Sequence, residues 1–265
     1  MALNIKQLLH RSCFGHDVDS IELIETHISW VILTGRYAYK IKKPVDFGFL
    51  DFSTLDKRKR YCEQEVELNR RLAPMIYIDV VAITETGAGL TMGGEAGVVE
   101  YAVRMKQFPQ SAQLDNMLQD GRLSPDHMDA IALMLADFHR SVERADRAMG
   151  FGMPDAVYAP VKENFEQVRE HLDTDEYEDR LVKLATQVAA RYADLHDVIE
   201  QRKQQGFVRQ CHGDMHLGNM LLLDTGDFHG PVAFDCIEFN ANLSWIDVIS
   251  ELAFLVMDLQ SRNQY

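Results

Sequence analysis

The segment that decides the fold is C-H-G-D-M-H-L-G-N at residues 211–219, which combines polar side chains with two glycines. An apolar run at residues 220–223 follows it directly, and a second short apolar run ends at Asp235. The intervening D-T-G-D-F at residues 224–228 is typical of a turn, so the two runs should pair as a β-hairpin. The sequence therefore predicts a tight polar loop set before the first strand of a hairpin.

This hairpin would bring three polar side chains to one end of a small sheet. Asp214 and Asn219 lie five residues apart in the loop, and Asp235 lies 21 residues beyond Asp214. The pattern H-x-D-x-x-x-x-N with a later strand-end aspartate resembles the catalytic segment of protein-kinase-type phosphotransferases. That resemblance implies that Asp214 accepts the proton of an attacking hydroxyl group, while Asn219 and Asp235 hold Mg²⁺ on the nucleotide.

The form H-G-D-x-H-x-G-N is similar to the aminoglycoside phosphotransferase branch of the kinase-like superfamily, to which choline and homoserine kinases also belong. The resemblance implies an α+β fold with two lobes. A small antiparallel-sheet lobe at residues 1–107 would bind the nucleotide, and a mainly helical lobe at residues 108–265 would carry the catalytic loop. The implied reaction is ATP- and Mg²⁺-dependent transfer of the γ-phosphoryl group to a hydroxyl of a small molecule.

Two other interpretations of the loop stay open at this stage. Its polar residues could be ordinary turn residues that bond their own backbone, although a turn does not require the later Asp235. The loop could also belong to a transition-metal site formed by Cys211, His212, Asp214, His216 and Cys236. These residue types suit zinc, but the C-x-x-C spacing is absent.

Two lysines are candidates for binding the nucleotide phosphates. The strand expected at residues 36–43 has a period of two, which places Lys40 and Lys42 on the same face. The sequence A-Y-K that ends at Lys40 resembles the A-x-K end of the third-strand motif of kinases, whose lysine neutralises the phosphates. The resemblance favours Lys40, and Lys42 stays an alternative.

A helix expected from an N-cap at residues 53–54 to about residue 72 carries a carboxylate on its inward stripe, which would consist of Tyr61, Glu65, Leu68 and Leu72. A buried carboxylate is costly unless a cation pairs with it. The kinase-like resemblance implies that Lys40 is the cation that pairs with Glu65.

The resemblance also implies a five-stranded sheet with one helix in the small lobe. Strands are expected within residues 20–33, 36–43, 76–83 and 98–105, with residues 87–97 as a turn. The end of the last strand would be the hinge between the lobes. There the backbone near Val103 and Met105 would bind the adenine.

The second half of the chain should be mainly helical. We expect helices at residues 124–139, 160–172, 176–204 and 244–259, with a loop at residues 149–160. The last helix is apolar almost all round, which predicts that it is buried. Within it, Asp247 resembles the structural aspartate that braces the catalytic loop in the family. Glu238 could contact a second metal or the substrate, or it could form a salt bridge.

Composition limits the function further. A net charge of −14 argues against a nucleic-acid surface and is compatible with a cationic acceptor. The four cysteines are scattered, which predicts thiols in a reducing cytoplasm. The sequence shows neither an export signal nor a membrane-spanning segment, so we expect a cytoplasmic protein that does not bind membranes.

Longer stretches, such as I-E-T-H-I-S-W-V at residues 24–31 and N-R-R-L-A-P at residues 69–74, resemble a bacterial group in which a kinase-like domain precedes a P-loop ATP-binding domain. No Walker sequence occurs here, so that second domain is expected to be absent. The kinase-like large lobe is accordingly expected to be truncated at its C-terminus. A nucleotide-binding regulatory module or pseudokinase, without transfer activity, is the alternative function.

Overall fold

A computed structural model describes residues 3–87, 89–171 and 175–264, apart from the side chains of residues 175 and 176. The strands are β1 Glu22–Glu25, β2 Ser29–Leu33, β3 Tyr37–Lys42, β4 Tyr77–Thr86, β5 Gly89–Met92, β6 Val98–Lys106, β7 Val208–Gln210, β8 Met220–Thr225, β9 Phe228–Ala233 and β10 Trp245–Asp247. The helices are α1 Leu55–Asn69, α2 Leu114–Gln119, α3 Pro125–Ser141, α4 Pro154–Glu170, α5 Asp175–Gln204, α6 Ala241–Ser244 and α7 Val248–Ser261. The fold is thus α+β, with a strand-rich first part and a mainly helical second part.

The first part is built on an antiparallel sheet in the order β1-β2-β3-β6-β4-β5. In the centre of this sheet, Lys40 of β3 lies opposite Val103 of β6. The sequence predicted five strands in this sheet, and the structure has six. The additional strand β5 lies inside residues 87–97, where several glycines favour a turn over a strand by local propensity alone.

Helix α1 packs against β4 and β6 and positions an acidic side chain next to the sheet. The helix begins where predicted, since the hydroxyl of Thr54 accepts a hydrogen bond from the backbone N–H of Lys57. The buried face of the helix differs from the predicted one by a small rotation about the helix axis, since Tyr61 and Leu68 are only half-buried. The buried residues of the helix are Arg58, Cys62, Glu65, Val66 and Asn69. Glu65 is on both stripes, so its predicted burial is confirmed.

Three of the four predicted helices correspond to α3, α4 and α5, and the short helices α2 and α6 were not predicted. Helix α3 begins at a capping box between Ser124 and His127, as the N-cap sequence predicts. Helix α4 starts at Pro154, within the loop expected at residues 149–160, so that loop is shorter than predicted. A proline in the first helical turn loses no intrahelical hydrogen bond, which explains why it starts a helix here.

The predicted hairpin is confirmed, since β8 pairs with β9 and the turn lies at Gly226-Asp227. One buried cluster contains residues from this hairpin, from α1 and from the sheet, namely Leu221, Val232, Val66 and Val103 among others. The hairpin is therefore packed against the first part of the chain. A second short pairing, between β7 and β10, flanks the polar loop and has no clear signal in the sequence.

The C-terminal apolar segment is less buried than predicted. Its first residues complete α6 and form β10, and only the remainder is helical. In α7, the exposed fraction is 54% for Ile249, 45% for Phe254, 48% for Val256 and 60% for Met257. The prediction of a fully buried helix is therefore wrong, because an apolar composition on all sides does not by itself supply packing partners.

Among the described residues, no helix combines the length and the apolar composition needed to cross a membrane.

Candidate active site

A cleft of about 310 Å³ lies between the first strands of the sheet and the residues around Asp235. Its walls are largely apolar and include Ile24, Val31, Leu33, Ala38, Met105, Phe108 and Phe234. Lys40 and Asp235 form a charged end. A mostly apolar cavity with a few polar groups at one end is the usual form of a small-molecule site.

A second cavity of about 260 Å³ shares Lys40 and Asp235 with the first and also contacts Asp214. The two cavities are therefore adjacent and meet at these charged groups. The apolar cleft suits a ring system, whereas the second cavity has several carboxylates and two lysines among its lining residues. The two cavities together can bind a ligand that has an apolar end and a charged end.

Lys40 occupies the junction and is bonded on two sides. Its ammonium group donates to Asp235 Oδ1 and lies 2.9 Å from Glu65 Oε1. Although burial opposes the charge, the carboxylates of Asp235 and Glu65 raise the pKa of Lys40 well above its ordinary value. The two carboxylates therefore favour the charged form of Lys40, which the sequence predicts as the phosphate-binding lysine.

The neighbouring Lys42 lies deeper. Its ammonium group is 2.7 Å from Glu65 Oε2 and also donates to Glu238 Oε1. Glu65 thus binds one lysine with each carboxylate oxygen, which the sequence did not predict. Of the alternatives left open for Glu238, the structure contains the salt bridge. Lys40 has the greater contact with the apolar cleft, since Lys42 is not among the residues that line it.

Asp214 and Asn219 are in direct contact. The side-chain amide of Asn219 donates to both the carboxylate and the backbone carbonyl of Asp214, at 3.0 Å in each case. The carboxylate of Asp214 stays 40% exposed, and its residue lines the second cavity together with Asp235. The loop therefore presents one acceptor group to the cavity and holds it by local hydrogen bonds.

The backbone around Asp235 is unusual. Asp235 has a φ of 66°, in the left-handed region that residues other than glycine and asparagine seldom adopt. Its backbone N–H donates to the hydroxyl of Tyr77 at 3.1 Å, and the next N–H, of Cys236, donates to Asn69 Oδ1 at 2.9 Å. Tyr77 also lines the apolar cleft. Sequence reasoning missed Tyr77, because nothing local marks a strand tyrosine as a partner of a residue 158 positions later.

Of the two predicted hinge residues, the structure places only one at the cleft. Met105 lines the apolar cleft, whereas Val103 is fully buried between β3 and β4 and does not line it. The backbone N–H of Lys106, at the end of β6, is already bonded to Ile76. Val103 therefore has no geometric support as a nucleotide contact, and the role of Met105 stays a prediction.

Glu251 of α7 braces the catalytic loop, so the prediction for Asp247 is wrong. Glu251 Oε2 accepts hydrogen bonds from the backbone N–H of His212 at 2.7 Å and of Gly213 at 3.3 Å. Its other oxygen lies 3.1 Å from His139 Nε2. Asp247 instead caps α7 and pairs with Arg202. The two acids lie four residues apart, which the sequence alone does not resolve.

Replacing Glu251 by Ala should lower the free energy of unfolding by about 3 kcal/mol or more, because each buried donor left without a partner costs about 1–3 kcal/mol. Glu251→Gln should lose less, since its amide oxygen can still accept from the loop. Urea denaturation of both variants and of Asp247→Ala measures the effect. A loss at Glu251→Ala no larger than at Asp247→Ala would contradict the bracing role.

His216 is a second loop residue beside Asp214. Its Nδ1 accepts a hydrogen bond from the backbone N–H of Gly218 at 3.1 Å, which leaves Nε2 to carry the proton. Nε2 lies 3.7 Å from Asp214 Oδ2. The Asp214 carboxylate raises the pKa of His216, and the imidazole in turn lowers the pKa of Asp214. Asp214 therefore stays ionised and can accept a proton.

The pairing gives a prediction for pH dependence. Because the pKa of His216 is raised above 6.5 in the folded state, its stabilisation is fully present below pH 6.5 and is lost as pH rises through the folded pKa. The unfolding free energy of the wild type minus that of His216→Gln should therefore be larger at pH 6 than at pH 9. The change should be about 0.5 kcal/mol, because solvent screens the exposed pair. Equal differences at both pH values would contradict the pairing.

The alternative metal site is not supported. Within residues 3–87, 89–171 and 175–264, the converging metal-ligand groups are His139, Cys211 and Glu251, and separately His196, Asp197 and Glu200. Neither group contains His212, Asp214, His216 or Cys236. Burial also raises the pKa of the Cys211 and Cys236 thiols, which opposes the thiolate form that zinc requires. The five-residue transition-metal site, left open as an alternative interpretation, therefore has no support among the described residues.

The oxygen donors next to the second cavity suit Mg²⁺. The side chain of Asp235 is 44% exposed and lines the second cavity together with Asp214, whereas Asn219 is buried and lines neither cavity. Carboxylate and amide oxygens are the ligands that Mg²⁺ prefers, and Mg²⁺ bound to a nucleotide needs only one or two of them from the protein. The carboxylates at the cavity thus fit the predicted ion, and the role of Asn219 as a metal ligand stays a prediction.

An antiparallel sheet with one packed helix, a mainly helical second part and an apolar cleft with a charged end define the α+β class of this protein. Residues 51–264 match the phosphotransferase enzyme family. The match covers most of the chain, so the protein belongs to that family. Membership supports a phosphotransferase as its class.

The chain is also similar to curated proteins of mycobacteria. Uncharacterized proteins of Mycobacterium tuberculosis H37Rv and of Mycobacterium bovis are each 32% identical over 252 residues, which cover 94% of this chain and 48% of the relative. The chain thus spans about half the length of these relatives. A solved structure of a choline/ethanolamine kinase family protein from Mesorhizobium loti aligns with 93% of this chain and 66% of its own, at 12% identity and a TM-score of 0.44.

Proposed function

We propose that the protein is an ATP- and Mg²⁺-dependent phosphotransferase that transfers the γ-phosphoryl group to a hydroxyl of a small molecule. The observation that carries the proposal is the convergence of Asp214, Asp235 and Lys40 around the second cavity, which shares Lys40 and Asp235 with the apolar cleft, in a member of a phosphotransferase family. The apolar cleft would receive the adenosine part, with Met105 on its wall. The phosphates would then extend toward Lys40.

In this proposal each residue has one task. Asp214, kept ionised by His216 and held by Asn219, orients the acceptor hydroxyl and takes its proton as the oxygen attacks the γ-phosphorus. The bond between the γ-phosphorus and the bridging oxygen breaks, and ADP leaves with that oxygen. Lys40, fixed by Glu65, neutralises the phosphates. Positioning and charge neutralisation supply most of the rate enhancement in reactions of this type.

Asn219 and Asp235 are the residues that would hold Mg²⁺. The ion, when bound, neutralises part of the triphosphate charge. In the structure Asp235 is paired with Lys40, so nucleotide binding requires that both residues exchange this contact for the ligand. In the free protein Lys40 and Asp235 neutralise each other. With the nucleotide bound, Lys40 would pair with the phosphates and Asp235 with Mg²⁺, so each charge keeps an opposite partner.

A thermal-shift titration with Mg-ATP, followed by a phosphotransfer screen, tests the proposal. The screen compares amino-alcohols, aminoglycosides and neutral sugars, and it includes cationic acceptors because the chain has a net charge of −14. We expect a Mg²⁺-dependent rise in the unfolding temperature and ADP formation that depends on one acceptor class. Absence of any Mg-ATP-dependent shift would contradict nucleotide binding.

The second candidate function is a module that binds nucleotide without transferring phosphate. The observation that favours it is the loop between β1 and β2, at residues 26–28, which contains no glycine to bring its backbone close to the phosphates. Mg-ATP binding without turnover across the whole screen would support this module. Acceptor-dependent turnover would exclude it.

A further inference from the structure

Lys42 is a buried cation for which the proposed transfer has no task. Its side chain is 2% exposed, and the ring of Phe52 covers its ammonium group at 4.8 Å from the ring centre. Both neighbouring carboxylates, of Glu65 and Glu238, already bind this ammonium group. A lysine enclosed in this way is not free to bind a phosphate, so its charge must serve the protein itself.

The partner Glu238 belongs to the same segment as Asp235, three residues further on. Its side chain is 4% exposed, so the pair with Lys42 is shielded from solvent on both sides. Lys40 and Lys42, two residues apart on β3, therefore make two parallel links to one segment. Lys40 contacts Asp235, and Lys42 contacts Glu238.

The two links differ in what a nucleotide would do to them. The link from Lys40 to Asp235 joins two groups that the ligand needs, and Asp235 is 44% exposed at the cavity. The link from Lys42 to Glu238 joins two groups that are almost completely buried. The second link can therefore persist while the first is exchanged for ligand contacts.

We propose that Lys42 is a positioning residue that fixes the Asp235 segment against β3 through Glu238, and fixes Lys40 through the shared Glu65. The inference rests on the proposed function, since it assigns Lys42 a role in the same nucleotide site. Lys42 touches no phosphate. It sets the distance between the strand that carries Lys40 and the segment that carries Asp235.

The test compares Lys42→Met, Glu238→Gln and the double variant Lys42→Met/Glu238→Gln. Lys42→Met alone leaves the buried Glu238 carboxylate without its cation and should be poorly stable. The double variant removes both charges of the link and should regain much of the lost stability. Lys42→Arg, which keeps the charge, serves as the conservative variant.

The control is the double variant Arg58→Met/Glu100→Gln. That buried pair, with a 2.8 Å contact, joins α1 to the sheet and does not line either cavity.

The first measurement is hydrogen exchange of the peptide at residues 234–240 without nucleotide. If Lys42 fixes the segment, exchange there is faster in the Lys42→Met/Glu238→Gln variant than in the wild type, while the control variant is unchanged in this peptide. Unchanged exchange at residues 234–240 in a folded double variant would overturn the inference. This readout does not depend on nucleotide binding or on transfer.

The second measurement is the response to Mg-ATP. The double variant should have a KM for Mg-ATP or a kcat changed by about 10- to 100-fold, the range that a displacement of about 1 Å produces, with partial rescue in Lys42→Arg. A folded double variant with the Mg-ATP response of the wild type, whatever its thermal stability, would overturn the inference. If the wild type itself fails to respond to Mg-ATP, the proposed function fails instead, and the exchange measurement alone decides whether Lys42 fixes the segment.

Discussion

Replacing Asp214 by Asn should lower the rate of phosphate transfer by about 10²- to 10⁴-fold, the usual contribution of a positioned general base. The asparagine side chain has the same size and keeps an oxygen that can accept from Asn219, so the loop should stay intact. It cannot take up a proton from the acceptor hydroxyl. Transfer, measured as acceptor-dependent ADP formation, is therefore expected to fall while the Mg-ATP-induced thermal shift stays close to that of the wild type.

The matched control for this variant is Asp227→Asn, since Asp227 lies in the exposed turn between β8 and β9, away from both cavities. It should retain full transfer activity and full stability. A fall in transfer of less than about tenfold in Asp214→Asn would contradict the assignment of the proton acceptor. A loss of Mg-ATP binding together with transfer would instead indicate that Asp214 serves mainly to bind the metal-nucleotide complex.

Replacing Asp235 by Asn should weaken Mg-ATP binding by about 100-fold or more, because a charged metal ligand contributes several kcal/mol. Asparagine tolerates the left-handed backbone at this position about as well as aspartate does, so the substitution removes the charge without imposing new backbone strain. Lys40 keeps Glu65 as a partner, which limits the effect on stability. The expected result is a folded protein whose response to Mg-ATP is largely lost.

Thermal-shift titrations with Mg-ATP, and with ATP in the presence of EDTA, measure this effect. The wild type should respond far more strongly to Mg-ATP than to metal-free ATP, and Asp235→Asn should reduce the first response toward the second. The exposed Asp224→Asn is the control, since its side chain is 82% exposed on the hairpin. An unchanged Mg-ATP response in Asp235→Asn would exclude Asp235 as the metal ligand, whatever its distance from Lys40.

Much of the fold was predictable from local signals. The turn at residues 224–228 and the apolar runs beside it predicted the hairpin, because turn chemistry and strand period act over a few residues. The N-cap sequences predicted where α1 and α3 begin for the same reason. The extra strand β5 was missed because its pairing with β4 outweighs the local preference of glycine for turns. The early start of α4 was missed although a proline in the first turn is itself a local signal.

The chemical groups of the candidate site were likewise predictable from local signals. The spacing of Asp214 and Asn219 in one loop, and the strand period that places Lys40 and Lys42 on one face, are properties of neighbouring residues. The sequence therefore determined which chemical groups the site contains, although their roles in transfer stay predictions. It also placed Glu65 on a buried helix face and predicted that this carboxylate needs a cation.

Only the tertiary structure decided how these groups are paired. Lys42 and Glu238 are 196 residues apart, and the loop residue His212 and its brace Glu251 are 39 residues apart. No local period encodes such contacts. The first forms where the sheet, α1 and the hairpin share one core, and the second where α7 shares a core with the polar loop. The sharing of Glu65 between two lysines and the choice of Glu251 over Asp247 are therefore consequences of packing, because burial forces each charged group to find its partner among whatever the fold brings near.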